Sequence, residues 1–550
     1  MKLYLKFCVF FFLTFSNLNY CQQKSKPKLI VGIIIDQMRA EYLYRFQDNY
    51  SENGFKRILN KGFNVKNVHY NYIPTATAPG HSTVFTGTTP SEHGIIYNSW
   101  FDRKKNKVIN CIEDNSVFLV DNNGISKDLK SKKFQRSPKN LKVTTITDEL
   151  KLFTNGRSKV IGISLKDRGA ILPAGHLADA AYWYNTDNGN FITSSYYQKK
   201  LPFWLKQFNN KKLADSLLNS NWSTLLPIKR YINSNIDNSP FEKIFKGRNN
   251  STFPYNLKNL RRRNNNYNLL TQVPQGNSIL TKLFREVIIG ENLGKRNETD
   301  FLTISYSSTD YIGHNFGIRS KEVEDTYVRM DREIEEVIDI LNKQVGKDQY
   351  ILFLTSDHGG SDNPLFLNSK RLPGNFYSPK EIKKKLNIYL SKEFSPKKYI
   401  SYFNKTQIYL NPKIENKIEV LKKIKQFLQK NDGIKKIYIP ALNSRSINDD
   451  VFVNSYNPEV SGDIIYEMYS GWMVERKFGT THASNYNNDS HVPLIWYGKN
   501  INRGETSLPV KITQIAPTIS MLLNIPLPNV SNKNPIVALI SNNYAITKKE

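Results

Sequence analysis

Leu29-Ile-Val-Gly-Ile-Ile-Ile-Asp36 is a continuous apolar and largely β-branched run that ends in a carboxylate. A run without polar alternation is typical of a strand that is buried on both faces of a parallel sheet. Further runs of this kind occupy residues 159–164, 300–306, 349–356 and 492–498. Helical patterns lie between or after them, at residues 141–154, 278–289, 322–343 and 512–523. Strands that alternate with helices predict an α/β fold with a largely parallel central sheet.

The N-terminus has the pattern of a secretory leader. Lys2 and Lys6 precede the apolar stretch at 7–15, and residues 19–23 offer a cleavage point. We therefore predict a signal peptide over residues 1–21 and a periplasmic or secreted mature protein. A lipid anchor at Cys21 stays open, although the residues before it match a lipoprotein signal poorly. The remaining sequence has no apolar run long enough to cross a bilayer, so we expect no transmembrane segment.

The composition excludes several kinds of site. Two of the three cysteines, Cys8 and Cys21, lie in or at the edge of the predicted leader, so neither a disulfide framework nor a cysteine zinc site is available. The formal net charge of +30 is scattered, and no compact basic helix carries interleaved aromatic residues. We therefore expect no specific nucleic-acid partner. Residues 22–550 are expected to form one large domain, with insertions near 180–277 and 364–470 where the chain becomes rich in Lys and Asn.

Three aspartates follow the predicted strands and three histidines lie close to them or in a small-residue loop. They are Asp36, Asp310, Asp357, His314, His358 and His482. Because the carboxyl ends of parallel strands meet at one rim of a sheet, the carboxylates would converge there, and their repulsion calls for cations. Six imidazole and carboxylate ligands suit two metal ions with three protein ligands each, and this donor set favours zinc.

The other histidines are expected to be structural or to support the ligands from behind. They are His69, His81, His93, His176 and His491, of which His491 is the strongest candidate for a direct role.

Four further positions have an ordinary structural interpretation when only the residues are considered. Thr77, two residues before Pro79, marks a helix start, where its hydroxyl could be a cap or a nucleophile. Lys166 and Arg168 could be a solvated basic pair or could bind an anion, since two residues apart at a strand end would point to the same side. Asn98 could be an ordinary turn residue.

Six ordered motifs carry a family resemblance. They are Pro74-Thr-Ala-Thr-Ala-Pro-Gly-His81, Thr86-Gly-Thr-Thr-Pro-Ser-Glu-His-Gly-Ile-Ile-Tyr-Asn-Ser-Trp100, Ser164-Leu-Lys-Asp-Arg-Gly-Ala170, Thr309-Asp-Tyr-Ile-Gly-His314, Ser356-Asp-His-Gly359 and Gly479-Thr-Thr-His482. This set resembles the alkaline phosphatase superfamily, and within it the monomeric, exported, phosphate-irrepressible (PafA-type) branch. The resemblance extends over about residues 28–526. Tyr97 departs from the family, which usually has Gly there.

The resemblance implies a three-layer α/β/α sandwich with a mostly parallel central sheet and lid insertions, and an exported zinc-dependent phosphomonoesterase. By the same resemblance Thr77 is the nucleophile and forms a phosphothreonine. One zinc ion would be held by Asp310, His314 and His482, and the other by Asp36, Asp357, His358 and Thr77. The phosphoryl oxygens would be bound by Asn98, Lys166 and Arg168. The protein would act as a monomer on small phosphorylated substrates.

Two other functions compete with a phosphomonoesterase. A nucleotide pyrophosphatase or phosphodiesterase of the same superfamily reacts at a phosphate of lower charge, and should not need Lys166 and Arg168. A secreted zinc- or phosphate-binding protein would need no nucleophile, so an intact Thr77 and six ligands argue against it.

Overall fold

The computed structural model describes residues 25–442, 450–474 and 476–540. Its centre is a 12-stranded mixed sheet. In chain order the strands are β1 (Leu29–Ile35), β2 (Phe63–His69), β3 (Leu119–Asp121), β4 (Gly124–Ser126), β5 (Val160–Ser164), β6 (Ala180–Asn185), β7 (Asn190–Ser194), β8 (Asp300–Tyr306), β9 (Tyr350–Thr355), β10 (His491–Gly498), β11 (Gly504–Thr506) and β12 (Val510–Lys511). The predicted signal peptide lies outside the described residues.

The spatial order of the strands is β11-β2-β10-β9-β1-β8-β5-β6-β7-β3-β4, and β12 pairs with β2. The five central strands β9, β1, β8, β5 and β6 are mutually parallel. Strand β10 runs antiparallel to both β9 and β2, and the β6–β7 hairpin extends the other side of the sheet. The predicted largely parallel sheet is thus confirmed at its centre, with antiparallel strands on both sides.

Within the described ranges, eight helices cover the sheet: α1 (Phe55–Lys61), α2 (Thr77–Thr86), α3 (Ile146–Phe153), α4 (Asp167–Ala174), α5 (Gln275–Gly290), α6 (Ser308–Phe316), α7 (Lys321–Leu341) and α8 (Ile515–Leu523). Further helices are Tyr42–Arg45, Pro90–His93, Phe203–Asn210, Leu213–Leu218, Leu257–Leu260, Pro364–Ser369, Pro379–Glu393, Lys417–Gln429, Asp450–Ser455 and Asn487–Ser490. The helix predicted from residue 141 begins only at Ile146, because Thr145 and Asp148 form a capping box there.

The three layers follow from the alternation of side chains along β1. Val31 and Ile33 lie in a core with α1, α5 and α7, whereas Ile30 and Ile34 lie in a second core with α2, α3 and α8. Since successive side chains of a strand point to opposite faces, a strand that is apolar throughout must be covered on both sides. The α/β/α sandwich is therefore the arrangement that buries this strand.

Two regions of unusual composition pack differently. Residues 209–277 are mostly irregular, with the short pair Asn221–Trp222 and Tyr255–Asn256, yet Trp222, Phe245 and Tyr255 are fully buried in the core with α5 and α7. The second region has its own core around a four-stranded sheet of Ile400–Phe403, Gln407–Leu410, Ile464–Met468 and Ile434–Tyr438. Two small pairs complete the strands, Ser99–Asp102 with Lys107–Asn110 and Asn375–Tyr377 with Trp472–Val474. The division into one catalytic domain with insertions stays a prediction.

Throughout the described part of the chain, every helix is either too short or too polar to span a bilayer.

Candidate active site

Neighbouring strands bring the three predicted aspartates to one rim of the sheet. Ile35 of β1 pairs with Tyr306 of β8, and Ile34 pairs with Thr355 of β9, so the three strands end side by side. Asp36 follows β1 directly, Asp357 lies just beyond β9, and Asp310 lies in the first turn of α6 after β8. Residues that are up to 321 positions apart in the chain thus meet because their strands are adjacent.

The first candidate metal group consists of Asp36, Asp357 and His358. Their ligand atoms all lie within 4.8 Å of one another, and all three residues are fully buried. His358 Nε2 is 3.5 Å from Asp36 Oδ1 and 3.6 Å from Asp357 Oδ2. Each of these three atoms is buried without a hydrogen-bond partner among the described residues. Because an unpaired buried polar atom is costly, three such atoms facing one point fit a cation there.

The second group consists of Asp310, His314 and His482, with ligand atoms again within 4.8 Å of one another. His314 lies one helical turn after Asp310 in α6, and its Nε2 is 3.2 Å from Asp310 Oδ1. His482 comes from a distant loop, and its Nε2 is 3.9 Å from the same oxygen. The two groups are contiguous, since the rings of His358 and His482 stack with 3.6 Å between their centroids.

Backbone carbonyls hold all three imidazoles in one orientation. His314 Nδ1 donates to the Thr480 carbonyl (2.8 Å), His358 Nδ1 to the Gly359 carbonyl (2.9 Å) and His482 Nδ1 to the Thr75 carbonyl (2.7 Å). The proton is thereby placed on Nδ1, and Nε2 keeps its lone pair for a metal. The described donor set therefore fits two metal ions.

Thr77 is the first residue of α2, and it does not cap that helix. The preceding residue, Ala76, has extended backbone and occupies the cap position, and no side-chain cap hydrogen bond is formed. The hydroxyl of Thr77 lies instead 3.4 Å from Lys166 Nζ, and the residue is buried. The capping interpretation of Thr77 is wrong, and its hydroxyl faces the site at a helix N-terminus, where an anion is favoured.

Lys166 connects Thr77 to both metal groups. Its Nζ donates to Asp36 Oδ2 and to Asp310 Oδ2, each at 2.6 Å. Burial favours the neutral amine, but the charges of Asp310 and Asp36 outweigh it and raise the pKa of Lys166, so an ammonium is retained. The interpretation of Lys166 as part of a solvated basic pair is therefore wrong.

Lys166 and Arg168 were expected to point to the same side because they lie two residues apart at a strand end, and this reason is wrong. Strand β5 ends at Ser164, Lys166 precedes α4, and Arg168 is in the first turn of that helix, so strand alternation does not apply. Arg168 is nevertheless at the site. Its nearest carboxylate is Asp167, at 3.8 Å, and that carboxylate already accepts from Arg136 at 2.9 Å. Arg168 Nε is buried and donates to no described residue, which leaves it free for an anion.

The side chain of Asn98 contacts the start of α2. Its Oδ1 accepts a hydrogen bond of 2.8 Å from the backbone N–H of Ala78, the residue after the predicted nucleophile. This bond uses the carbonyl oxygen of the side chain, so the amide nitrogen of Asn98 can donate to another group. The structure thus brings Asn98, Lys166, Arg168, Thr77 and the six predicted ligands together.

Two residues support the site from behind: His81, for which a structural or supporting role was expected, and Gln37, for which no role was predicted. His81, one turn after Thr77, bonds the Thr77 carbonyl through Nδ1 and Ser305 Oγ through Nε2, each at 2.8 Å, and its Nδ1 is 3.4 Å from Asp357 Oδ2. Gln37 follows Asp36 with φ +65°. Its side-chain amide donates to Asp310 Oδ1 at 2.7 Å and its N–H to Asp357 Oδ1 at 3.2 Å.

The preference for His491 as an additional site histidine is wrong. His491 stacks on His69 with 4.6 Å between ring centroids, and its Nε2 lies 2.8 Å from the carbonyl of Lys66 in β2. The spacing of four residues from Thr77 was the signal that would have selected His81 instead, since residues four apart share one face of a helix.

The electrostatics of the site call for cations. Burial, and next the charge of Asp357, raise the pKa of Asp36 well above its usual range despite the nearby Lys166. Three carboxylates therefore share a buried site in which Lys166 is the ammonium that pairs directly with two of them. A cation bound at either group would relieve this repulsion.

Comparisons with known proteins identify the family of this chain. The family model for type I phosphodiesterase / nucleotide pyrophosphatase matches residues 30–492. Alkaline phosphatase PhoV of Synechococcus elongatus is 41% identical over 94% of both chains. Alkaline phosphatase PafA of Elizabethkingia meningoseptica is 40% identical over 94% of this chain and 95% of its own. A Myroides odoratus protein with a different activity in its name, calcium-transporting ATPase, is 41% identical over 94% and 95%.

The crystal structure of PafA at 1.7 Å superposes with a TM-score of 0.89 at 39% identity, over 94% of this chain and 99% of that one. The family match over residues 30–492 includes every residue of the site, and the relatives match over nearly the whole chain. The chain therefore belongs to the type I phosphodiesterase/nucleotide pyrophosphatase family, and within it to the group of the PafA and PhoV alkaline phosphatases.

Proposed function

We propose that this protein is a zinc-dependent alkaline phosphatase that hydrolyses phosphate monoesters through a phosphothreonine at Thr77. One observation carries the proposal: Lys166 Nζ lies 2.6 Å from a carboxylate of each metal group and 3.4 Å from Thr77 Oγ. A hydroxyl at a helix N-terminus, two adjoining three-ligand groups and buried cations together provide what phosphoryl transfer needs, which is positioning and charge.

Each residue of the site has a role in binding or orientation. Asn98 and Arg168 have donors left for the non-bridging oxygens of a phosphate dianion, and Lys166 adds a second positive charge. Thr77 is the first residue of α2, where the positive end of the helix dipole favours an anion. His81 fixes the Thr77 carbonyl through its hydrogen bond of 2.8 Å. Asp36, Asp357 and His358 would hold one zinc ion, and Asp310, His314 and His482 the other.

The reaction proceeds in two balanced displacements. Thr77 Oγ gives its proton to solvent and forms a bond to phosphorus, while the bond from phosphorus to the ester oxygen breaks and the released alkoxide takes up a proton from solvent. The oxygen of a water molecule then forms a bond to phosphorus and gives up a proton, the bond from phosphorus to Thr77 Oγ breaks, and Thr77 Oγ takes up a proton as inorganic phosphate leaves. When bound, the zinc ions would lower the pKa of the Thr77 hydroxyl and stabilise charge on the leaving oxygen.

Replacement of Thr77 tests the nucleophile. Thr77→Ala should abolish hydrolysis of p-nitrophenyl phosphate while the zinc content, measured by atomic absorption, stays near that of the wild type. Thr77→Ser is the matched control, because it keeps the hydroxyl and should keep measurable turnover and a covalent phosphoenzyme. Undiminished turnover in the alanine variant would refute the assignment.

The alternative activity is that of a phosphodiesterase, which the family name also includes. Lys166 and Arg168 favour the monoester, since a monoester dianion carries one more negative charge than a diester. The double variant Lys166→Ala/Arg168→Ala should therefore lose far more activity toward p-nitrophenyl phosphate than toward bis-p-nitrophenyl phosphate. Equal losses would favour a role in folding or metal binding over recognition of the monoester. Both substrates should be assayed before and after chelation, because removal of metal should stop either reaction.

We also propose that the protein is exported and works as a monomer. The predicted leader at residues 1–21 supports export, and N-terminal sequencing of protein from the periplasm or medium should begin near residue 22. An uncleaved chain retained in the cytoplasm would contradict this proposal. Light scattering coupled to size exclusion should give the mass of one chain.

A further inference from the structure

Arg476 is a partly exposed cation beside the second metal group, and the described residues provide no acceptor for it. Its Nη1 is 3.3 Å from His314 Nδ1. That nitrogen already carries the proton that it donates to the Thr480 carbonyl at 2.8 Å, so it cannot also accept from Arg476. No described carboxylate lies within ion-pair distance of Arg476. A guanidinium in this position has its donors available to a ligand.

Lys243 is a second partly exposed cation at the same end of α6. Its Nζ lies 3.2 Å from Asn315 Oδ1 and 3.4 Å from Gln272 Oε1, and both of these acceptors are uncharged. The adjacent carboxylate of Glu242 is turned inward, where it accepts from Ser251 at 2.8 Å. Lys243 is therefore hydrogen-bonded but its charge is not compensated.

Backbone hydrogen bonds hold the two cations close together. The N–H of Lys243 donates to the Asn315 carbonyl at 2.8 Å, and the N–H of Gly479 donates to the Phe241 carbonyl at 2.8 Å. Burial, and next the positive charge of Arg476, lower the pKa of Lys243. Two cations that repel each other at the edge of a site, with only neutral partners, favour the binding of an anion between them.

We propose that Arg476 and Lys243 form a second anion subsite, which binds an additional phosphate group of the substrate on its leaving side. This inference rests on the proposed function. Thr77 lies next to the group of Asp36, because His81 contacts both the Thr77 carbonyl at 2.8 Å and Asp357 Oδ2 at 3.4 Å. The attacking and leaving oxygens of a phosphoryl transfer lie in line on opposite sides of phosphorus. The leaving oxygen therefore faces the group of His314, and Arg476 lies just beyond that histidine. Preferred substrates would include nucleoside diphosphates, in which the terminal phosphate reacts and the inner phosphate reaches this subsite.

A matched pair of nucleotides tests the subsite. ADP and AMP are compared as inhibitors of p-nitrophenyl phosphate hydrolysis by the zinc-loaded enzyme, because an inhibition constant reports affinity whether or not the nucleotide is hydrolysed. The wild type should bind ADP more tightly than AMP. Loss of a charge-assisted hydrogen bond in Arg476→Gln should raise the inhibition constant of ADP about ten- to a hundredfold and leave that of AMP and the turnover of p-nitrophenyl phosphate nearly unchanged.

Two further variants sharpen the test. Lys477→Gln removes the same charge from the next, exposed residue and should change neither constant, whereas Lys243→Gln should weaken ADP binding alone. Equal affinities of the wild type for ADP and AMP, or equal effects of Arg476→Gln on both nucleotides, would overturn the subsite. A wild-type enzyme that does not hydrolyse p-nitrophenyl phosphate would instead refute the proposed function, so the two failures are distinguishable.

Discussion

Replacement of Lys166 by Met should destabilise the metal-free protein much more than the zinc-loaded protein. Lys166 is almost fully buried, with 2% of its side chain exposed, and its Nζ lies 2.6 Å from carboxylates of Asp36 and Asp310. Met has a similar length but no charge, so the variant leaves two buried carboxylates without their ammonium. Removal of one partner from a buried ion pair typically costs about 3–5 kcal/mol.

Zinc should offset most of this loss. Each ion would be held by one of the two carboxylates, and its positive charge replaces the compensation that Lys166 provides in the metal-free protein. In the zinc-loaded enzyme the main effect of Lys166→Met should be on catalysis. Loss of one preorganised charged donor lowers kcat by about 100- to 1000-fold in comparable sites.

The measurement is thermal unfolding by calorimetry, after chelation and after reloading with zinc. For a chain of this length, 1 kcal/mol corresponds to roughly 1–2 °C, so the variant should melt about 3–10 °C lower than the wild type after chelation. Lys107→Met is the matched control. Lys107 is half exposed and pairs with Glu113 at 3.0 Å, so its loss should cost less than about 1 kcal/mol in either state.

Two results would refute the reasoning. If Lys166→Met lowers Tm equally with and without zinc, the ammonium and the metal do not compensate the same carboxylates. If it leaves the Tm of the metal-free protein unchanged, Asp36 and Asp310 are not both charged there.

Three further predictions concern residues around the site. His81→Leu removes one buried hydrogen bond to the Thr77 carbonyl and another to Ser305, and kcat for p-nitrophenyl phosphate should fall about 10- to 100-fold; an unchanged kcat would contradict this support. Burial raises the pKa of Glu242 to about 8, so the wild type should lose stability as pH rises from Glu's usual 4.5 toward 8, where the folded protein must release that proton. Glu242→Gln lacks this loss and can still accept from Ser251, so the Tm of the variant relative to the wild type should rise between pH 5 and pH 9. A Tm difference that does not change with pH would contradict this role of Glu242. Trp222 lies in the irregular region 209–277 but is fully buried in the core, so Trp222→Ala should lower the free energy of unfolding by about 3–5 kcal/mol with KM unchanged. If the region were only a surface segment, the protein would tolerate this change.

Much of the fold and most of the site could be predicted from local patterns. A strand that is covered on both faces must be apolar at every position, so β1, β5, β8, β9 and β10 are recognisable from their own residues. The buried stripe of α7 repeats with the helical period for the same reason. Polar ligands at the ends of these strands stand out against an apolar background, which is why Asp36, Asp310 and Asp357 could be identified together.

The relations between distant residues depended on how the strands are ordered. Lys166 lies 130 residues from Asp36 and 144 from Asp310, and only the neighbouring positions of β5, β8 and β1 place its ammonium between their carboxylates. Thr77 has the local signature of a cap, and the extended backbone of Ala76 decides against that role. His81 is marked only by its spacing of four residues from Thr77, and Gln37 and Arg476 have no distinctive pattern, because a hydrogen bond to a ligand or a missing counter-charge is set by packing across the molecule. Local burial therefore reveals which segments form the sheet, whereas the charge balance around Thr77, on which its proposed role as nucleophile rests, exists only once the strands are assembled.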